Sequence, residues 1–110
     1  MNIRKYLLPF LLLLLTLAGC YKNEPVPAAD FSWSGSNQFY IPCTVQFSNA
    51  SVNAYNWEWH FGDDSVSEAK EPSHFYSRPG SYSVTLRAYT QSRKEWASVI
   101  KTVVIRDTIH

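Results

Sequence analysis

Cysteine, glycine and charge are all scarce in this sequence: 110 residues hold 2 Cys, 4 Gly and 17% charged side chains. The two cysteines, at positions 20 and 43, lack the close spacing of a paired-cysteine zinc motif, and no H-E-x-x-H stretch offers another. The few glycines do not fall in the spacing of a phosphate-cradling loop. The 10 Lys+Arg are matched by 9 Asp+Glu and form neither a basic stripe nor an acidic tail. The electrostatic footprint of a nucleic-acid binder is therefore missing, and that class of partner is excluded. No apolar run reaches the roughly 20 residues that a membrane-spanning helix requires. Nucleophile elbow and triad order are absent too. The chain is read as non-enzymatic and without a cofactor.

What the sequence does have is aromatics: 15% of residues, with 4 Trp, 7 Tyr and 6 Phe. A disordered chain is poor in such side chains, so most of this one is expected to pack. The N-terminus is different in kind. Arg4 and Lys5 precede an apolar run from Leu7 to Leu17, and Ala18-Gly19 ends at Cys20. These are the proportions of a secretory signal peptide. Leu17-Ala18-Gly19-Cys20 resembles a bacterial lipobox, which implies that Cys20 is lipidated (palmitate among its acyl chains) and becomes the first residue of the mature protein. Two or three acyl chains, at about 0.8 kcal/mol per buried CH₂, hold a small domain durably on a membrane. Tyr21 stands where an inner-membrane retention signal would have Asp, so the analogy favours the outer membrane of a double-membrane bacterium. With Cys20 occupied, Cys43 has no bridging partner. It shares strand parity with Val45 and Phe47 and is expected to be a buried, inert thiol.

Residues 20–28 carry two prolines and read as the lipidated cysteine and an extended tether. Beyond them the pattern has period two. Ala29, Phe31 and Trp33 share one side of a first strand. Cys43, Val45 and Phe47 share one side of a second, and Tyr55, Trp57, Trp59 and Phe61 one side of a third. Residues 65–73 read as a loop or weak edge strand, and His74 to Tyr76 as a short pairing. Tyr82, Val84, Leu86 and Ala88 mark a further strand, and Trp96 to Ile105 the last. Lys101 falls in phase with Val99 and Val103 there, which a bulge or an edge position would explain. The expectation is an all-β, antiparallel two-sheet β-sandwich of six to seven strands. It spans residues 29–106, after a signal peptide at 1–19 and before a tail at 107–110.

Trp59-His60-Phe61-Gly62-Asp63, followed by His74-Phe75-Tyr76 and Arg78-Pro79-Gly80-Ser81-Tyr82-Ser83-Val84-Thr85-Leu86, resembles the PKD domain, an immunoglobulin-like module. Its hallmark is a W-x-F-G-D-G stretch and then Y-x-x-P-G-x-Y-x-V-x-L. Asp64 stands here where the family usually has glycine, and Asp tolerates a left-handed turn better than most residues. Trp59, Phe61, Gly62, Asp63, Tyr76, Gly80 and Tyr82 are thus expected to be structural. Trp59 would be the hub of the core and Tyr82 a tyrosine corner. The resemblance implies a cell-envelope module for protein–protein or protein–carbohydrate contact.

Three further features are weighed for chemistry. Asp63 and Asp64 could supply oxygens to a calcium ion, but the spacing of a dedicated calcium loop is missing and a structural turn is preferred. His74 is expected to make a structural hydrogen bond. Glu58 and Arg87 are expected to face each other on neighbouring strands as an exposed pair. For a sugar ring, Trp96, Phe39 and Tyr40 are the candidate stacking surfaces; the competing reading has them closing the ends of the sandwich. Membrane, through the lipid, and an envelope protein or glycan are the expected partners.

Overall fold

A computed structural model describes residues 24–107. The stretch read as a signal peptide, Cys20 and the last three residues lie outside the described residues. Seven strands form: β1 (Phe31–Gly35), β2 (Cys43–Asn49), β3 (Asn56–His60), β4 (Val66–Ser67), β5 (Ser73–Tyr76), β6 (Gly80–Tyr89) and β7 (Trp96–Ile105). They make two antiparallel sheets, ordered β1-β2-β5 and β4-β3-β6-β7. Among the described residues there is no α-helix, only a 3₁₀ segment at Ser36–Phe39.

Alternation does the sorting. Cys43, Val45 and Phe47 of β2 are buried, as are Val84, Leu86 and Ala88 of β6, while their odd-phase neighbours Thr44, Gln46, Ser48 and Arg87 are exposed. A slip of one residue in either pairing would turn the whole apolar set toward water, so the register is strongly specified. Trp59 of β3 lies opposite Leu86 of β6 on one side and Ser67 of β4 on the other.

Trp59 is 0% exposed. Phe31 and Phe47, from the opposite sheet, meet its ring at 5.1 and 5.2 Å between centroids. Phe61 follows at 6.3 Å, nearly parallel. At roughly 25 cal/mol per Å², a buried indole of about 200 Å² contributes on the order of 5 kcal/mol, an upper bound for a fully extended reference chain. The indole also keeps its one polar atom satisfied, since Nε1 donates to the Ala69 carbonyl at 2.9 Å. Cys43 is fully buried, with its thiol 3.3 Å from the Ser36 carbonyl.

Several expectations need adjusting. The first strand starts at Phe31, and Ala28 instead forms a lone bridge with Val52. The segment read as a tether is not free at its inner end. Glu24 accepts hydrogen bonds from the amide of Ser92 at 3.2 Å and from its hydroxyl, and Pro27 is buried. Tyr55 shares parity with Trp57 and Trp59 but precedes β3, and it is 61% exposed. Lys101 has an edge explanation. β7 is the last strand of its sheet, and the Lys101 ammonium crosses to β1, reaching the Phe31 carbonyl and the Asp30 carboxylate at 2.7 Å each. It laces the two sheets together where both end.

The strand directions divide the sandwich into two poles. The chain enters at the near pole, where Phe31, Asn49, Asn56, Tyr89 and Trp96 lie at strand ends. At the far pole are Gly35, Gly80 and Ile105, with Tyr40 bridged to Arg106.

Candidate functional site

The Gly-Asp turn after β3 lies at the far pole and is built almost entirely from motif residues. Gly62 has φ +88°, and an added Cβ would sit 2.9 Å from the Ser83 carbonyl oxygen, so glycine is required twice over. Asp64 takes φ +70°, the left-handed conformation that the usual glycine would adopt. Both carboxylate oxygens of Asp63 are engaged: one accepts from the Ser65 amide at 3.1 Å and the other meets Nε2 of His74 at 2.7 Å. Partial burial pushes its carboxyl up, but the bonds from His74 and Ser65 outweigh that and hold it below the ordinary carboxylate range. The His74 imidazole stacks on Phe61 at 4.1 Å, within 4° of parallel. His74 thus makes the structural bond expected of it.

Two tyrosines complete the turn. Tyr76 is 1% exposed, and its hydroxyl donates to the Phe61 carbonyl at 2.8 Å. Burial, and then the Asp63 charge, push its phenol above the ordinary tyrosine range. Tyr82 donates to the Arg78 carbonyl at 2.6 Å, four residues back, as a tyrosine corner does. Gly80, with φ +154°, leads into it. Asp63, Tyr76 and Tyr82 also line a shallow cleft of about 270 Å³ with Phe75, Ser77 and Arg78. Among the described residues, no group of three or more His, Cys, Asp or Glu side chains is placed to hold a metal ion.

The three aromatic candidates do not form one platform. Phe39 and Tyr40 lie at the far pole. Phe39 packs on the core and covers Gly35, where an added Cβ would fall 2.4 Å from its ring. Tyr40 is half-buried under the Arg106 guanidinium, 5.4 Å from its ring centre. These two close the sandwich. Trp96 is at the opposite end, 52% exposed, on the outer face of the four-stranded sheet.

Around Trp96 the sheet register assembles a group that sequence reading missed. Tyr89 lies directly across from it, ring centres 6.4 Å apart. Arg87 stretches back so that its guanidinium sits 4.8 Å over the Trp96 ring. Glu58 is paired with Arg87 in the ladder, as expected, but its carboxylate turns to Nε2 of His60 at 2.7 Å. Arg87, Tyr89, Glu58 and His60 share the odd phase of their strands, which was the available signal. What parity did not provide was the hairpin register setting Trp96 opposite Tyr89. The result is an exposed indole and a phenol tilted 44° to one another with a guanidinium over the indole; farther along the same face lie a carboxylate and an imidazole bonded to each other. It is a face suited to stacking and hydrogen bonding.

The family model described as PKD domain matches residues 22–105. Among solved structures, the PKD1 domain of Vibrio anguillarum Epp is similar at 21% identity and TM-score 0.66, over 78% of this chain and 100% of that one. The PKD1 domain of the Vibrio cholerae metalloprotease PrtV is similar at 24% identity and TM-score 0.64, over 74% and 99%. A third, from work on the promiscuous specificity of carbohydrate-binding modules of the β-sandwich superfamily, has 20% identity and TM-score 0.69 over 78% of this chain and 36% of that one. At these identities the likenesses establish the fold. No curated protein matches the chain.

Proposed function

The chain belongs to the PKD domain family, and from that premise we propose that it is a non-catalytic, lipid-anchored interaction module of the cell envelope. It engages a protein or glycan partner through the outer face of its four-stranded sheet. The anchor is Cys20, carried on the lipobox-like Leu17-Ala18-Gly19-Cys20, and the outer membrane is its favoured seat. One observation carries the binding reading: Trp96 is half open to solvent and framed by Arg87 and Tyr89. An exposed indole costs solubility unless something uses it, and Trp, Tyr and Arg are the side chains that dominate binding surfaces. The motif residues, by contrast, are committed to one another and hold the turn.

Within that reading a glycan is the partner that the local chemistry suits. Sugar rings stack on aromatic faces while Glu58, His60 and Arg87 offer an acceptor and donors to hydroxyls. One of the similar solved structures comes from work on carbohydrate-binding modules. The test has two arms. Envelope glycans titrated against the intact chain should shift tryptophan emission, and Trp96→Ala should abolish the shift. Envelope extract passed over immobilised chain should yield a component that the Trp96→Ala, Arg87→Ala variant does not retain. If neither arm distinguishes wild type from variant, this face is not the binding surface. Palmitate labelling lost in Cys20→Ala checks the anchor separately.

A further inference from the structure

We propose that the near pole sits directly on the bilayer, so that the strands stand upright and the far pole points away from the membrane. The proposal rests on the lipid-anchor reading of Cys20 and deepens it. Its first support is chain length. Only Tyr21, Lys22 and Asn23 separate Cys20 from Glu24, so the two α-carbons are at most about 14 Å apart even when fully extended. Glu24 is itself fastened to Ser92, in the β6–β7 turn at the near pole. The headgroup layer takes up roughly 5–8 Å of that reach, so the near pole cannot leave the interface while Cys20 is acylated.

The second support is what the near pole exposes. Val26, Val52 and Tyr55 are 77%, 55% and 61% exposed. Ala28 bridges Val52, the Asn53 side-chain Nδ2 donates to the Val26 carbonyl at 3.1 Å, and the Tyr55 backbone amide donates to the Tyr89 carbonyl at 2.8 Å, which places all three at this pole. In the exposed β6–β7 turn at this pole are Arg93, whose guanidinium bonds the Asn56 side chain at 3.3 Å and lies 5.5 Å from the Tyr89 ring centre, and Lys94, followed by Glu95; the guanidinium and ammonium there can meet lipid phosphates. Apolar side chains with a tyrosine and basic neighbours are the composition of an interfacial contact. The occupant is therefore the lipid surface. Trp96 and Tyr89 lie at this same pole, so the lower edge of their sheet face meets the headgroup layer while the stretch farther along β6 and β7 stands clear of it.

The test uses the acylated full chain in vesicles of phosphatidylethanolamine and phosphatidylglycerol. An environment-sensitive probe is placed in turn on Val52→Cys, Tyr55→Cys and, at the far pole, Ser77→Cys; Cys43 is buried and does not compete. Bromine-labelled lipids should quench the probes at 52 and 55 by roughly half, consistent with immersion near the headgroup–acyl boundary. The probe at 77 should be unaffected. If the chain floats with the vesicles but 52 and 55 are quenched no more than 77, the seating is wrong and the anchor stands. If the chain does not float with the vesicles, the anchor reading falls and this proposal with it. The pair 52 and 55 guards against one variant failing to fold.

Discussion

Replacing Tyr76 by phenylalanine isolates one buried hydrogen bond. The ring stays, and with it the contacts to His74 at 4.7 Å and Tyr82 at 4.3 Å, so no large cavity opens. Only the hydroxyl leaves, from a residue that is 1% exposed and donates to the Phe61 carbonyl at 2.8 Å. Stranding that carbonyl away from water should cost about 1–3 kcal/mol. Urea unfolding of so small a domain has a slope of about 1 kcal/mol per molar, so the midpoint should fall by roughly 1–3 M with the slope unchanged. Tyr82→Phe is the internal comparison. Its hydroxyl also bonds a carbonyl, that of Arg78 at 2.6 Å, but the residue is only half-buried and water can replace the bond. Its loss should be about 0.5–1 kcal/mol. If Tyr82→Phe destabilises as much as Tyr76→Phe, burial does not set the cost and the reasoning is refuted.

The Asp63–His74 contact predicts a response to acid. Because the folded state holds the Asp63 carboxyl below its ordinary value, it stabilises the fold above the unfolded value of roughly 4, and that stability is lost as pH falls through the lower folded value. The urea midpoint of the wild type should therefore drop on acidification below about pH 4 more than that of Asp63→Asn; parallel curves would mean that the carboxylate is not stabilising. Lys101→Met should change stability by no more than about 1 kcal/mol, since its ion pair is partly exposed. It should nonetheless raise self-association in sedimentation velocity, because an inward-reaching charge guards the β7 edge; a variant as monomeric as wild type would remove that role.

The sandwich was legible in the sequence because its strands are half-buried, and a half-buried strand writes its orientation into alternate residues. β2 and β6 could be read almost to the residue for that reason. Trp59-His60-Phe61-Gly62-Asp63 was legible for another: a left-handed turn and a buried indole admit few residue types. Legibility failed where position along the strand, rather than parity, decides exposure. Tyr55 has core parity but precedes its strand, and Phe39 looks like a surface aromatic until a kinked 3₁₀ segment folds it over Gly35. The Trp96–Arg87–Tyr89 group depends on the pairing between two strands, which neither strand encodes alone. The docking of Glu24 on Ser92 joins residues 68 positions apart, and nothing local announces it.

The entry of the chain at the near pole, in line with β1, also has a mechanical consequence. Ladder bonds run perpendicular to their strands. A pull on the N-terminal end along the axis of β1 therefore strains the Phe31-to-Gly35 pairing with β2 in shear, with all its bonds sharing the tension at once. A sideways tug would peel them one by one. A load applied at the N-terminal end along β1 is thus met in the domain's stiffest direction.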